Sequence, residues 1–387
     1  MFSLVGCKPA AENGGSANTA AGGAATGNEI LIGHFASLTG GTATFGTDTD
    51  QGVQLAVKEL NAAGGWNGKH FRVDTQDDAS KPEEAKTVVT SFAGNKDIVA
   101  VLGEVASTRS MIAAPVLEKA GIPMISPAST NPEVTKLGKH IFRVCYIDPF
   151  QGYVVSKFAH DDLKATKAAI LLDQKNDYSV GLAKVIREEF TKMGGQIVVE
   201  QSFKEGDSQF RAQLTTIKDA KPDVVFVPGY YAEAGPIARQ ARELGITAPL
   251  VGADGWDSQQ LVKGAGGAGG ALEGCYFANH YSKDDKAANV QAFVKAYKAD
   301  NKGNDPSALA ALGYDAMKIL ADAIKRANST DREKITEALA ATRDFPGVTG
   351  KISIDADHNA RKSAVIIQIK GDQFLYRRTI QPPDAAK

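Results

Sequence analysis

Cysteine is nearly absent from this chain: its 387 residues include three, and no two of them form a CxxC pair. A dense disulfide framework is therefore excluded, and the spacing of zinc ligands is lacking. The six histidines are scattered, and no HExxH, GxSxG or Walker lysine motif occurs. The common signatures of hydrolases and nucleotide-dependent enzymes are thus missing. We expect no metal, no cofactor and no catalytic activity.

Long apolar runs and an excess of charge are also missing. No apolar run reaches the roughly 18 residues that a membrane span needs. Lys and Arg number 44 against 45 Asp and Glu, which leaves a formal net charge of −1. Without a basic field, the chain is not expected to bind nucleic acid. Hydrophobic residues make up 43% and charged residues 23%, which is typical of a globular protein with a full core, and the length favours two domains.

The first seven residues, MFSLVGC, end in a short pattern around a cysteine. The run LVG before Cys7 resembles the lipobox of bacterial lipoproteins, in which the cysteine thiol carries lipid. Six residues are too few for an export signal, so we expect the true start of the chain to lie upstream. Residues 8–28 are rich in Gly, Ala, Ser, Thr and Asn, the composition of a flexible tether. The alternative is an ordinary N-terminus that happens to contain Cys7.

From Glu29 onward, strand patterns alternate with helical patterns almost without interruption. The expected strands are Ile30 to Phe35, Phe71 to Thr75, Ile98 to Val105, Pro123 to Pro127, Ile141 to Tyr146, Ala168 to Leu172, Ile197 to Phe203, Val224 to Val227, Leu250 to Gly252, Cys275 to Ala278, Lys351 to Ile354, Ala364 to Ile369 and Phe374 to Arg378. The expected helices between them include Thr49 to Ala63, Pro82 to Asn95, Phe150 to Leu163, Ser179 to Met193, Phe210 to Ala220, Ala232 to Leu244, Asn289 to Lys298, Leu309 to Arg326 and Arg332 to Ala341. This alternation predicts parallel sheets covered on both faces, in two lobes. Helices without matching strands after Gly274 indicate that the chain crosses between the lobes more than once.

Small hydroxyl residues follow two neighbouring strands, within the stretch from Gly103 to Asn131. They are Ser107 and Thr108 after the first strand, and Ser126, Ser129 and Thr130 after the second. The helix that begins near Ser107 is expected to face the sheet with Met111, Ile112, Val116 and Leu117. In an open parallel sheet, ligands bind outside the carboxyl ends of the strands, where free amide N–H groups suit an anionic group. For a single hydroxyl an N-cap is the simpler interpretation, but two such junctions side by side favour a binding site.

Several segments together give the chain a specific resemblance to a known family. They are TGGTATFG, DQGVQLAVKELNAAGG, GEVAST, ISPASTNPE, FRVCYIDPFQG, NDYSVGL, PGYYAEAG, RQARELGI and VGADGW, all in this order between Glu29 and Phe374. With this series the chain resembles the substrate-binding proteins of branched-chain amino acid ABC transporters, the Leu/Ile/Val-binding family. The resemblance implies the type I periplasmic binding protein fold, an α/β architecture of two Rossmann-like lobes with parallel sheets joined by three crossover strands.

The resemblance also implies how the chain is divided into lobes, which molecules it binds and where it is located. Residues 1–28 would be a signal remnant and tether, 29–147 plus 280–355 the first lobe, and 148–279 plus 356–387 the second. The crossovers would fall near Val144 to Asp148, Asn279 to Lys283 and Ile354 to Asp357. The implied partners are a small amino acid and the membrane permease of an ABC importer. We expect a monomer in the periplasm or on the outer face of the membrane, attached only through lipid on Cys7.

The ligand-binding residues of this family carry over by position. The amino acid's carboxylate would be held by Ser107, the backbone of Ala128 and Thr130, its ammonium by Asp254, and the cleft would be walled by Tyr178, Tyr230 and Phe45. A zwitterion gripped by a different lobe at each charge binds the closed form more tightly and shifts the hinge equilibrium. Each residue has a plain alternative. Asp254 could cap a helix near Trp256 to Val262, Tyr178 could lie in a solvated loop, and Phe45 could belong to the core.

The chain departs from the family at several positions. Ser80 and Ala106 stand where better-known members have a disulfide in the first lobe, so that bridge is absent. Cys145 and Cys275 lie beside two expected crossovers and form either a disulfide or two buried thiols.

Two further departures concern the pocket. Leu309 replaces an aromatic residue of the pocket wall, and Glu104 lies beside the carboxylate junction, so the side chain that the ligand should have is left open.

The main rival function is a ligand-sensing module of a receptor or amide-type regulator with the same fold. A receptor would add a membrane helix and a signalling domain. A nucleotide-dependent enzyme, the second rival, would need a phosphate loop or a nucleophile that we do not find.

Overall fold

Two sheets organise the molecule, and helices cover both faces of each. The computed structural model describes residues 27–267 and 270–383. Cys7 and residues 8–26 of the expected tether lie outside these ranges. Within them, strands and helices alternate as the sequence predicts, and the expected α/β architecture is confirmed.

The first sheet has five strands in the order β2-β1-β3-β4-β5, all parallel. Its elements are β1 (Glu29–Ala36), α1 (Ala43–Ala62), β2 (His70–Asp77), α2 (Pro82–Gly94), β3 (Ile98–Leu102), α3 (Ser107–Lys119), β4 (Met124–Ser126) and β5 (Ile141–Arg143). The strand order reverses between β1 and β3. The loops that leave these two strands therefore diverge and open a crevice at the carboxyl edge of the sheet.

The second sheet repeats this order and extends it with two antiparallel strands, β15-β14-β10-β9-β8-β6-β7. Its first part contains α4 (Asp148–Asp161), β6 (Lys167–Asp173), α5 (Asp177–Lys192), β7 (Gln196–Phe203), α6 (Arg211–Ala220), β8 (Val224–Phe226), α7 (Tyr231–Glu243), β9 (Leu250–Gly252), α8 (Gln259–Gly264) and β10 (Tyr276–Asn279). β14 (Ala364–Lys370) and β15 (Gln373–Ile380) complete it. The reversal between β6 and β8 opens a second crevice.

The chain passes between the two sheets three times. It leaves the first sheet after β5 through residues 144–147, and it leaves β10 of the second sheet through residues 280–287. There follow α9 (Ala288–Asp300), α10 (Ala308–Ala327), α11 (Arg332–Ala340) and a small antiparallel sheet of β11 (Phe345–Gly347), β12 (Gly350–Ile354) and β13 (Ala360–Arg361). α10 packs on α1 of the first sheet, and the chain then returns to β14. The sequence thus predicted the repeated crossing, but β11 and β13 are too short to leave a pattern.

Two glycines allow α10 to lie against α1. A Cβ atom on Gly52 would lie 1.9 Å from the carbonyl oxygen of Ala310, and one on Gly313 would lie 2.4 Å from that of Thr49. Both obstacles are backbone atoms of the facing helix, so no side chain can rotate to relieve the clash. The close approach is what attaches the C-terminal helices to the first sheet.

We therefore expect Gly52→Ala to lower the free energy of unfolding by about 1–3 kcal/mol, the usual cost of overpacking. Gly94→Ala is the matched control, because a Cβ on Gly94, the last residue of α2, meets nothing within 4 Å. The control should be neutral or should gain up to about 1 kcal/mol from helix propensity. Urea unfolding of the two variants measures the difference, and equal midpoints would contradict the account of the helix contact.

Two local predictions were wrong in position. Helix α1 begins at Ala43, not near Thr49, so Phe45 lies in its first turn. Gly46 and the threonines around it have low helix propensity, so the sequence did not predict this first turn. In the structure Gly46 packs directly on the backbone of Ser37. On α3, Leu117 is buried as predicted, whereas Ile112 is 36% exposed. Beside Leu117 and Arg109, the buried residues of α3 are small ones such as Ser110, Ala113 and Ala114, because the helix lies close to its neighbours.

The two described cysteines are buried thiols. Cys145 and Cys275 are both free and fully buried, so the disulfide alternative is not realised in this structure. Burial raises the pKa of the Cys145 thiol to about 12 and raises that of Cys275 as well. Both side chains are therefore inert, and they act as small apolar residues of the core.

Candidate functional site

The seven residues that the sequence places in a ligand site surround one cavity between the two sheets. Its free volume is about 10 Å³, and it is lined by Phe45, Val105, Ser107, Ala128, Thr130, Tyr178, Tyr230, Asp254, Gly255 and Leu309. This is about the space that one water molecule needs, so the lining side chains lie close together in this structure. The structure brings the predicted residues together, while their roles in binding stay a prediction.

The first sheet contributes an end of α3 that no side chain caps. Ala106 is the N-cap residue and has no polar side chain, so the first amide N–H groups of the helix lack a capping partner. Ser107, the first helical residue, accepts a hydrogen bond at Oγ from the amide of Asn131 at 3.2 Å. The buried Thr130 hydroxyl has no hydrogen-bond partner among the described residues. The N-cap interpretation of Ser107 is therefore wrong, and this wall can receive a carboxylate.

The other hydroxyls of the two junctions hold the loops in place. Ser126 Oγ and Ser129 Oγ donate to the carbonyl oxygen of Glu104 at 2.7 and 2.8 Å, and Ser126 Oγ accepts from the amide of Ser129 at 2.8 Å. They thus join the end of β3 to the loop after β4. Their role in this structure is to fix the positions of the residues that line the cavity.

Behind this wall lies a buried ionic cluster, formed by Asp78, Glu104 and Arg109. Arg109 Nε is 3.1 Å from Glu104 Oε2 and 3.9 Å from Asp78 Oδ1. Burial and the neighbouring Glu104 raise the pKa of Asp78, while the charge of Arg109 lowers it. Glu104 is fully buried and does not line the cavity, although the sequence places it near the junction. Its side chain accepts a hydrogen bond from the amide of Ala106, the N-cap residue of α3, so it acts on the site by positioning this helix end.

The second sheet contributes a carboxylate, Asp254, which follows β9 in a turn of 3₁₀ helix (Asp254–Trp256). Its Oδ1 accepts hydrogen bonds from Tyr178 Oη at 2.8 Å and from Gln151 Nε2 at 3.1 Å. Its Oδ2 lies 3.0 Å from His280 Nε2. Asp254 caps no helix; the cap of the following helix is Ser258, whose Oγ accepts from the amide of Gln260 at 3.1 Å. The capping alternative is therefore wrong.

Three aromatic rings form the rest of the wall. Tyr178 and Tyr230 stack with ring centroids 5.3 Å apart and planes 6° apart, and Phe45 meets Tyr230 edge-on at 5.3 Å. Tyr178 is 2% exposed in α5, so it is not a solvated loop residue. Burial and Asp254 raise its pKa well above the usual value, which keeps the hydroxyl proton that it donates. Phe45 is part of the core and also faces the cavity.

The sequence did not identify four side chains that surround Asp254. They are Tyr146, Asp148, Gln151 and His280, all of them buried. Gln151 is 103 residues from Asp254 and His280 is 26 residues from it, so no local spacing reveals the contacts. The one available signal was position, because Tyr146, Asp148 and Gln151 lie in the segment FRVCYIDPFQG that carries the family resemblance.

Asp148 makes stability depend on pH. Burial and the charge of Asp254 raise its pKa from 3.8 to about 8, and the Thr130 hydroxyl lies near it without the geometry of a hydrogen bond. Between these values the folded state holds a proton that the unfolded state releases, so this group's contribution is full below pH 3.8 and is lost as pH rises to about 8.

We expect Asp148→Asn, which mimics the protonated acid, to remove this loss. The difference in unfolding free energy between the variant and the wild type should shift in favour of the variant by up to about 1.4 kcal/mol per pH unit across that window. Urea titrations at a series of pH values measure it. A difference that stays constant with pH would show that Asp148 titrates normally.

A larger polar cavity of about 500 Å³ lies beside the first one, near Asp48, Asp257 and Lys283. We assign the ligand site to the smaller cavity, because it combines an uncapped helix end, a carboxylate and apolar walls around one enclosed space. The described residues contain no group of three or more His, Cys, Asp or Glu placed to hold a metal ion. Across the same residues, every helix is too short or too polar to span a membrane.

Known proteins share this architecture. Residues 29–373 match the family model described as periplasmic binding protein. The chain is 32% identical to Leu/Ile/Val-binding protein homolog 1 of Brucella abortus, over 84% of this chain and 86% of that one. The crystal structure of a leucine binding protein from Thermotoga maritima superposes with a TM-score of 0.87 and 38% identity, over 92% of this chain and 99% of the other.

A second solved structure is similar to the same degree. It is the branched-chain amino acid transporter substrate binding protein LivJ of Streptococcus pneumoniae in complex with isoleucine, with a TM-score of 0.87 and 37% identity over 92% of this chain and all of the other. These matches place the chain among the substrate-binding transport proteins of the periplasm. The chain belongs to the periplasmic binding protein family and, within it, to the Leu/Ile/Val-binding proteins of branched-chain amino acid ABC transporters.

Proposed function

We propose that the protein binds a branched-chain or other small aliphatic amino acid in the cavity between the sheets and delivers it to an ABC permease. One observation carries the proposal: the cavity has a carboxylate, Asp254, on one side and an uncapped helix end with the partnerless Thr130 hydroxyl on the other. These features complement the ammonium and the carboxylate of a single zwitterion.

The walls between these two ends select the side chain. Phe45, Val105 and Leu309 present apolar surface to the cavity, and its free volume is about 10 Å³. Such apolar walls favour a short aliphatic side chain over a charged one, which would be buried without a partner. Leu309 leaves more room than an aromatic residue would at the same place. The leucine binding protein and the isoleucine complex among the similar structures support this choice of ligand.

Closure of the two lobes would then be the signal that the permease reads. In the structure the lobes meet across the cleft, since Thr108 Oγ1 donates to Asp177 Oδ2 at 2.9 Å and Thr44 Oγ1 lies 2.9 Å from Ser258 Oγ. We place the first lobe at 29–147 plus 280–355 and the second at 148–279 plus 356–387. A ligand that touches both lobes stabilises this closed arrangement over an open one.

The remaining parts of the proposal concern the setting. We propose that the protein works as a monomer, and that lipid on Cys7 attaches it to the outer face of the membrane through the tether of residues 8–28. Mass spectrometry of protein extracted from membranes tests the anchor. We expect Cys7 to carry the added mass of a diacylglyceryl group and a further fatty acid. An unmodified thiol on this residue would contradict the lipid anchor but not the proposed ligand.

Isothermal titration of ligand-free protein tests the proposed ligand. The protein should be unfolded, dialysed and refolded first, because a tightly held amino acid survives purification. Leucine, isoleucine and valine should bind, while lysine and glutamate, whose side chains would bury a charge, should bind far more weakly. Native mass spectrometry of untreated protein should show one retained small amino acid. Binding of none of the aliphatic amino acids would refute the proposal.

A further inference from the structure

His280 is buried beside the acid that would hold the ligand's ammonium. It is the first residue after β10, it is 2% exposed, and its Nε2 lies 3.0 Å from Asp254 Oδ2. Its Nδ1 has no hydrogen-bond partner among the described residues. Because a carboxylate only accepts, the proton of the neutral ring must lie on Nε2. His280 therefore donates one directed hydrogen bond to Asp254.

Tyr146 holds the imidazole ring from the other side. The two rings stack with centroids 3.8 Å apart and planes 25° apart. Tyr146 Oη donates to Gln151 Oε1 at 2.9 Å, and Gln151 Nε2 donates to Asp254 Oδ1 at 3.1 Å. The four residues Tyr146, Gln151, Asp254 and His280, here called the hinge network, therefore form a closed ring of contacts in which each member fixes the next.

The hinge network joins the carboxylate to the connections between the sheets. Tyr146 lies in the first connection, 144–147, and His280 opens the second, 280–287. Asp254 itself belongs to neither connection. Its orientation is thus set partly by segments that must change direction if the lobes open. The rings of Tyr146 and His280 are already stacked in this structure, in which the lobes lie close together.

The hinge network also determines where Asp254 can accept another hydrogen bond. A carboxylate offers about four acceptor positions on its two oxygens. Tyr178 and Gln151 occupy Oδ1, and His280 occupies one position on Oδ2. One position on Oδ2 is therefore left, and its direction follows from the placement of His280. A ligand ammonium must approach along that direction.

We propose that His280, held by Tyr146, is a positioning residue that aims Asp254 Oδ2 at the ligand's ammonium, so that the hinge network makes the cleft select amino acids over acids that lack the amino group. The proposal rests on the proposed function. It adds a residue that acts through Asp254 and does not itself line the cavity.

The test compares leucine with isocaproate, the same acid without its ammonium. His280→Leu removes the donor, and we expect it to weaken leucine binding by about tenfold to a hundredfold, the loss of one hydrogen bond to a charged group. Isocaproate binding should be unchanged. His280→Gln, which can still donate, should recover most of the affinity, and Tyr146→Phe should weaken leucine selectively but less.

His358→Leu is the matched control. His358 stacks on Phe142 with centroids 4.2 Å apart and planes 17° apart, next to the third connection, and it does not contact Asp254. Its leucine affinity should equal that of the wild type. Equal losses for leucine and isocaproate in His280→Leu, or no loss, would overturn the positioning role, and so would failure of His280→Gln to recover. If His280→Leu does not fold, His280→Phe, which keeps a ring to stack on Tyr146 but cannot donate a hydrogen bond, decides by the same selectivity. Wild-type protein that binds no amino acid would instead refute the proposed function.

Discussion

Replacing Asp254 with alanine should weaken amino-acid binding by about 2 to 5 kcal/mol, the range for losing one partner of a buried charge pair. In dissociation constants this is about 30-fold to 5,000-fold. The loss is large because the cavity excludes water and because Tyr178, Gln151 and His280 all donate to this one carboxylate. Without it, the ligand's ammonium would be buried among hydrogen-bond donors. Calorimetry with leucine measures the effect.

Asp173→Asn is the matched control for this experiment. Asp173 is a buried acid at the carboxyl end of β6, in the same sheet, but it does not line the cavity. Its variant should bind leucine as the wild type does. Circular dichroism should show both variants folded. If Asp254→Ala binds leucine with wild-type affinity, Asp254 is not part of the ligand site, even if the other assigned residues are.

The second large effect is on stability and concerns the ionic cluster behind the first wall. Replacing Arg109 with methionine should lower the unfolding free energy by about 3–5 kcal/mol, because it leaves Glu104 charged in a fully buried position. Asp78 cannot compensate, because a carboxyl group supplies no positive charge whether or not it is protonated. Urea unfolding at neutral pH measures the loss.

Adding Glu104→Gln to Arg109→Met should recover a large part of that loss, because the buried charge is then gone. Arg187→Met is the comparison at the surface. Arg187 Nη2 is 2.6 Å from Glu200 Oε2, but the two side chains are 42% and 35% exposed. That variant should lose less than about 1 kcal/mol. Equal losses in the two single variants would mean that burial does not decide the cost.

Much of the fold was predictable because its patterns are local. Buried strands such as β3 and β6 read as short apolar runs, and the helices between them show apolar residues at helical spacing. The face of α3 was not predictable in detail. Large residues such as Ile112 suggested the buried side, but the helix approaches its neighbours through Ala113 and Ala114. How closely two elements pack depends on the partner, which a single segment does not reveal.

The candidate site divides in the same way. Ser107 and Thr130 were visible as hydroxyls at the ends of adjacent strands, and the family resemblance added Asp254. His280 and Gln151 were missed, because each becomes meaningful only through its contact with Asp254 across the fold. The sequence thus predicted the residues that line the cavity better than those that support them.

The central claim is that one ligand must present both charges to close the lobes. Spin labels on Ile112→Cys of α3 and Val180→Cys of α5, both exposed, would report the distance between the lobes, with Cys7→Ser to leave no other accessible thiol. The measurement compares leucine with isocaproate, which lacks the ammonium, and with isoamylamine, which lacks the carboxylate. We predict that only leucine shifts the distance distribution to the short, closed value. Closure by isocaproate or isoamylamine alone, to the same distance at saturation, would contradict the account.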